Sequence, residues 1–170
     1  MLVYESTKSG FLDDVLEDQL VPEIKQGYES KGLGMGSESE IRSWKNSFQY
    51  MYKVLEGSSL PEDAGVAIEF QIPLTSRRID FLISGYDQQA NANIAIVELK
   101  QWEGSKTETV ENKDGIVKTV LGGGIRETTH PSYQAVSYAE LLKDFNTRIQ
   151  EKPIHLSPVA YLHNFEHQHR

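Results

Sequence analysis

The chain has 170 residues, 38% of them hydrophobic and 25% charged, which is enough for one domain with a sound core and is the composition of an ordinary soluble protein. It has no cysteine, which excludes disulfides, a thiolate nucleophile and Cys-ligated zinc; no apolar run approaches a signal-peptide core or membrane span, so a cytoplasmic protein with no membrane partner is expected. The formal charge of -8 argues against a protein that coats nucleic acid, but residues 1–70 carry 13 acidic and 6 basic side chains while residues 71–170 carry 12 and 11, so a local phosphate-facing surface is compatible with the later segment.

Residues 11–28 read as a helix, with Phe11, Val15, Leu16 and Leu20 at helical spacing until Pro22 interrupts or kinks it. Gly32, Gly34 and Gly36 mark a linker. Ser37-Glu38-Ser39-Glu40 then fits a capping box, with Ser37 as N-cap and Glu40 reaching back. The helix it opens keeps the 3.6-residue period through Ile41, Trp44, Phe48, Met51, Tyr52 and Leu55, and Gly57 stops it. An antiparallel meander of three strands follows, at 68–72, 78–84 and 94–100. Residues 103–120 lack a period and form a long excursion with a short ribbon at 115–120. Three glycines, 122–124, lead through Arg126 and His130 to Pro131, a favoured first helical residue; the helix runs to Phe145, and a last strand covers 157–162. The expectation is an α+β fold, a small mixed sheet flanked by helices, with an accessory helix and linker over 1–36 and one compact domain over 37–170.

Two of these strands carry charge where a buried strand should have none. Alternation places Ile94, Ile96, Glu98 and Lys100 on one side and Ala95, Val97 and Leu99 on the other, so a carboxylate and an ammonium project together. Removing either from water costs several kcal/mol, roughly, unless a partner or metal compensates. Asp80 on the preceding strand adds a second carboxylate, and the three make a site for a hard divalent cation beside a fixed positive charge. A structural salt bridge at the strand end is the alternative.

Asp80 followed by Glu98-Leu99-Lys100 resembles the signature of the PD-(D/E)XK nuclease superfamily, with Ile79 in place of its proline. Gln134-Ala135-Val136-Ser137-Tyr138 is similar to the Gln-x-x-x-Tyr signature of the RecB-like branch. With Gly122-Gly123-Gly124 and His130-Pro131, the chain resembles the nuclease module at the N-terminus of bacterial helicase-like ATPase proteins. No P-loop sequence occurs within it, so a helicase-like ATPase partner would be a further domain or subunit. The resemblance implies a restriction-endonuclease-like αβββαβ core, Mg²⁺ or Mn²⁺ as cofactor, and hydrolysis of phosphodiester bonds in nucleic acid, DNA in preference to RNA. On this reading Asp80, Glu98, Lys100 and Gln134 are catalytic. Asp80, Glu98, the carbonyl of Leu99 and Glu40 hold the metal, while Arg78, Gln101, Arg126, His130 and Tyr138 face substrate.

Several positions keep two readings. Glu40 is either a metal ligand or half of the capping box, with Glu38 and Glu69 as competing acids. Glu69 and Gln71 border the metal or line a solvent-facing edge. Arg126 and His130 cradle a phosphate or belong to a plain connection. His163, His167 and His169 read as a frayed terminus. For the whole chain, the rival is a nuclease-fold module that binds nucleic acid or a motor without cutting, which the acidic N-terminal third favours.

Overall fold

A computed structural model describes residues 2–34 and 38–166, the side chain of Glu40 excepted. Ser37, the Glu40 side chain, His167 and His169 therefore lie outside the described residues, and the capping box with them.

Strand β1 (Tyr4–Thr7) opens the chain, followed by helices α1 (Lys8–Leu16), α2 (Leu20–Ser30) and α3 (Glu38–Glu56). The single helix expected over 11–28 is thus two helices, preceded by an unexpected strand. Asp18, at a left-handed φ of 55°, separates them, and Pro22 sits in the first turn of α2, where its missing N–H has no intrahelical partner to lose. The meander is present as β2 (Gly65–Gln71), β3 (Arg78–Tyr86) and β4 (Ala92–Lys100). The excursion holds more structure than the expected ribbon: β5 (Glu108–Thr109), β6 (Ile116–Leu121) and β7 (Gly124–Thr129) form a small antiparallel sheet. Gly122 and Gly123, at φ of 58° and 83°, make its hairpin turn. Helix α4 (Pro131–Phe145) starts on Pro131, and after an unexpected short α5 (Thr147–Glu151) comes β8 (Ile154–Leu162), the last element among the described residues.

The main sheet has the order β1-β2-β3-β4-β8, with β4 and β8 parallel and the other pairs antiparallel. On one face α1, α2 and α3 pack Phe11, Ile24, Phe48 and Leu55 against Ile68, Phe81 and Val97. On the other, α4 sets Tyr138, Ala139 and Leu142 against Ile79, Ile96 and Leu156. Each large apolar side chain buried in this way contributes about 1.5–3 kcal/mol. The N-terminal segment expected as an accessory is built into this body, since β1 pairs with β2 and Phe11, Ile24 and Tyr28 are fully buried. Among the described residues no helix is long and apolar enough to cross a membrane.

Alternation of faces fails at one place. Ile68 and Phe81, paired across β2 and β3, lie in the first core, whereas the next pair, Phe70 and Ile79, packs in the second. Strict alternation would keep all four on one side. Between these pairs Glu69 and Asp80 drop out of the ladder, and Glu69 takes a φ of 53°. A left-handed residue other than glycine costs on the order of 1–3 kcal/mol, so its surroundings must hold it there. The β3–β4 ladder also stops at Phe81↔Val97, while β4 and β8 stay paired to Lys100↔Leu162. The sheet opens at the end where Asp80, Glu98 and Lys100 lie.

The β2–β3 turn is closed by the Ile72 amide donating to the Arg77 carbonyl (3.0 Å) and by Gln71 Nε2 donating to the Thr75 carbonyl (3.1 Å). At its tip Leu74 is 89% exposed with a φ of 60°, a conformation that costs a side-chain-bearing residue roughly 1–2 kcal/mol. Leu74→Gly is expected to stabilise the protein by about 1 kcal/mol, a rise in Tm of roughly 2–4 °C in a thermal melt. A fall in Tm would show that the leucine makes a contact that outweighs the strain.

Candidate functional site

Asp80 enters from β3 at the point where that strand leaves the ladder, and Glu98 and Lys100 enter from the end of β4. The Leu99 N–H donates to Asp80 Oδ2 at 2.8 Å, so the carboxylate takes a backbone donor of the neighbouring strand. Lys100 Nζ lies 2.5 Å from Glu98 Oε1. Glu98 is only 1% exposed, and its other oxygen, Oε2, is buried without a hydrogen-bond partner. Such an orphaned group costs about 1–3 kcal/mol, more when charged.

Burial raises the Glu98 carboxyl to about 7, reinforced by the Asp80 carboxylate and opposed by Lys100. Asp80 is also raised by burial, against the pull of Lys100, the Leu99 N–H and Arg78. For Lys100 burial works toward neutrality, but Glu98 and Asp80 outweigh it and its pKa rises. The ammonium is therefore a permanent positive charge, while Glu98 is a carboxyl that changes state near neutral pH.

The Gln134–Tyr138 pair, four residues apart on α4, borders this group. Gln134 Nε2 donates to the Tyr138 hydroxyl at 2.7 Å. The Tyr138 phenol is raised by burial and by the charge of Glu98, which places it within electrostatic reach of the carboxylates. Behind Asp80 lies a network that sequence reasoning missed. The Tyr28 hydroxyl donates to Glu69 Oε2 at 2.9 Å, Arg78 Nη1 stands 3.5 Å from the same oxygen, and Arg78 also donates to the Tyr28 hydroxyl. These contacts hold Glu69 in its strained conformation. Its acidic side chain in an apolar strand was a readable signal; Tyr28, in an N-terminal helix, gave none.

The remaining candidates lie elsewhere or do other work. Gln101 Nε2 donates to the Ser43 carbonyl (2.8 Å), Ser43 Oγ (2.9 Å) and Ser47 Oγ (3.2 Å), fastening the end of β4 to α3. Arg78 belongs to the Tyr28–Glu69 network. His130 Nδ1 accepts from the Ser132 N–H at 3.2 Å and caps α4. Arg126 is exposed on β7 opposite Thr119, and the glycines before it form a hairpin tip in place of the expected cradle. Glu38 is exposed at the start of α3. Among the described residues no group of three or more His, Asp and Glu side chains is arranged to hold a metal ion. The oxygens that could hold one are those of Asp80 and Glu98 with the Leu99 carbonyl, all hard donors, and the partnerless Oε2 of Glu98 fits such a cation.

No protein family, curated protein or solved structure matches this chain.

Glu98 is expected to titrate near pH 7 in a side-chain ¹³C NMR titration of the metal-free protein. Lys100→Ala removes the ammonium that opposes the shift, so the midpoint moves higher still. A midpoint of about 4–5, the ordinary glutamate range, would show that the carboxyl is hydrated and apart from Asp80.

Proposed function

We propose that the chain is a metal-dependent nuclease that hydrolyses phosphodiester bonds, with DNA as the preferred substrate and Mg²⁺ or Mn²⁺ as cofactor. The observation that carries this reading is the buried Glu98 oxygen without a partner, held beside Asp80 and the Lys100 ammonium. The succession α3-β2-β3-β4-α4-β8, with β4 parallel to β8, supports a restriction-endonuclease-like core. The resemblance of Asp80, Glu98-Leu99-Lys100 and Gln134 to Tyr138 to the PD-(D/E)XK pattern points the same way.

Asp80, Glu98 and the Leu99 carbonyl would hold the cation. When bound, it polarises the scissile phosphate and lowers the pKa of a coordinated water. Lys100, on the same strand face as Glu98, faces the reacting phosphate and stabilises the negative charge that grows as the water oxygen bonds to phosphorus and the ester oxygen departs with its electron pair. Gln134 and Tyr138 wall the site on the α4 side and restrict the approach of water. Asp80 is fixed by the Leu99 N–H, so its remaining oxygen points in one direction without reorganisation. A helicase-like ATPase domain or subunit would feed strands to such a module.

The rival reading, a nuclease fold that binds nucleic acid or a motor without cutting, is favoured by the Lys100–Glu98 ion pair, which already balances one carboxylate. Incubation of labelled single- and double-stranded DNA with Mg²⁺, Mn²⁺ or EDTA separates the two. Cleavage is expected with either metal and absent in EDTA, with Asp80→Ala and Lys100→Ala each reducing it by about 10²-fold or more. Cleavage that survives both substitutions would place the chemistry elsewhere, and none with any cation would leave the binding reading standing.

The pH dependence follows from the raised Glu98 carboxyl. A glutamate lifted to about 7 is protonated, and repels no cation but attracts none, below that value; metal affinity and cleavage therefore rise as pH increases through 7 and level off above it. Ca²⁺-induced stabilisation measured by thermal melts between pH 5 and 8.5 checks this without catalysis. A shift in Tm independent of pH would remove Glu98 from the metal site.

A further inference from the structure

The sheet face that carries Glu98 and Lys100 continues onto β8. Their parallel partners, Ala160 and Leu162, project to the same side, and both line a cavity of about 390 Å³. Trp102, two residues beyond Lys100, forms another wall together with Val117 of β6, Phe165 and His130, and the 107–109 segment leading into and through β5 lines the rest. None of this is used by the chemistry proposed above.

We infer that this cavity receives the base of the nucleotide next to the scissile phosphate, on a single strand of nucleic acid. The inference rests on the nuclease reading for the identity of its ligand. Position is the first argument. Trp102 follows the last residue of β4, Lys100, by two positions, so its backbone lies no more than about 7 Å from that of Lys100. His130 caps α4 at the cavity, and Gln134 and Tyr138 follow within the helix, four residues and about 6 Å apart along its axis, toward the carboxylates. A strand whose phosphate lies at Lys100 thus has its neighbouring base over the cavity mouth.

Chemistry is the second. Trp102 and Phe165 supply aromatic surface, and Val117 and Leu162 supply apolar walls, while the charged side chain in the lining is the carboxylate of Glu108 and no lysine or arginine lines the space, which suits a base and not a phosphate. His130 accepts the Ser132 N–H through Nδ1, so its own proton resides on Nε2, a donor for an acceptor on the base edge. The volume lies within the range of small-ligand pockets. A base held in a duplex cannot enter such a concave pocket without unpairing, so the cavity selects single strands or frayed ends.

The test is binding of short fluorescein-labelled homothymidine oligonucleotides to the full chain by anisotropy, in EDTA and in Ca²⁺, with a single abasic position moved along the strand. One abasic position is expected to weaken binding about 5- to 150-fold, the range for loss of one stacked base, with little effect elsewhere. Ala160→Leu, which narrows the cavity, is expected to weaken the intact strand and leave the abasic strand unchanged, a base-dependent loss that a disturbance of the neighbouring Glu98 would not give; Trp102→Phe keeps an aromatic face and most of the affinity. Equal affinity for intact strands and for every abasic strand, or wild-type binding by Ala160→Leu, overturns the inference. Cleavage in Mg²⁺ run in parallel keeps the two claims apart. Cleavage without base-dependent binding overturns the cavity assignment alone, and base-dependent binding without cleavage overturns the nuclease reading alone.

Discussion

One hydrogen bond organises the site: the Leu99 amide donating to Asp80 Oδ2. The ladder between β3 and β4 ends at Phe81↔Val97, one residue from Asp80 on β3 and two from Leu99 on β4, so beyond that point the strands have no backbone bonds of their own. A side chain takes over where the backbone stops. It fixes Asp80 against β4, and because alternate residues of a strand face opposite ways, the same stretch sends Glu98 and Lys100 to one side while Leu99 enters the opposite core. Three successive residues therefore do three jobs.

Charge balance explains why this arrangement is tolerated in an otherwise apolar sheet. Two carboxylates and one ammonium stand together, and burial works against all three charges. Lys100 pairs with Glu98 and also favours the Asp80 carboxylate, which the Leu99 N–H and Arg78 support further. Glu98 Oε2 remains uncompensated. The cost is offset by the two cores on either side of the sheet, whose fully buried members include Phe11, Phe48, Phe81 and Ile96. A sequence that breaks a local rule in this way must offset it elsewhere in the fold.

Regular periodicity made much of this readable. Trp44, Phe48, Met51 and Leu55 announce α3 because all four are buried along one stripe, and the carboxylate and ammonium at the end of Asn93-Ile94-Ala95-Ile96-Val97 stand out because the preceding pattern is apolar. Strand β1 did not announce itself: of its four residues only Tyr4 is buried. Pro22 looked like an interruption and instead begins a helix, a distinction that spacing alone does not make. The exchange of faces at Glu69 and Asp80 is invisible to a reading based on strict alternation, since it depends on contacts from Tyr28, more than forty residues away in sequence. The long side chains of Arg78 and Gln101 reach partners on other elements, and their choice is tertiary. Arg126 and His130 were assigned from neighbouring glycines whose positive φ serves a hairpin.

Strand β8 closes the sheet on its far side, and in the middle of it stands Pro158, opposite Ile96. Proline brings no amide hydrogen, and a strand with a partner on one flank only can accommodate that loss. The row of donors that a foreign strand would need to dock is broken there, and at the other margin β1 offers just four residues. A protein that leaves one end of its sheet splayed open thereby keeps both lateral margins poor templates for aggregation.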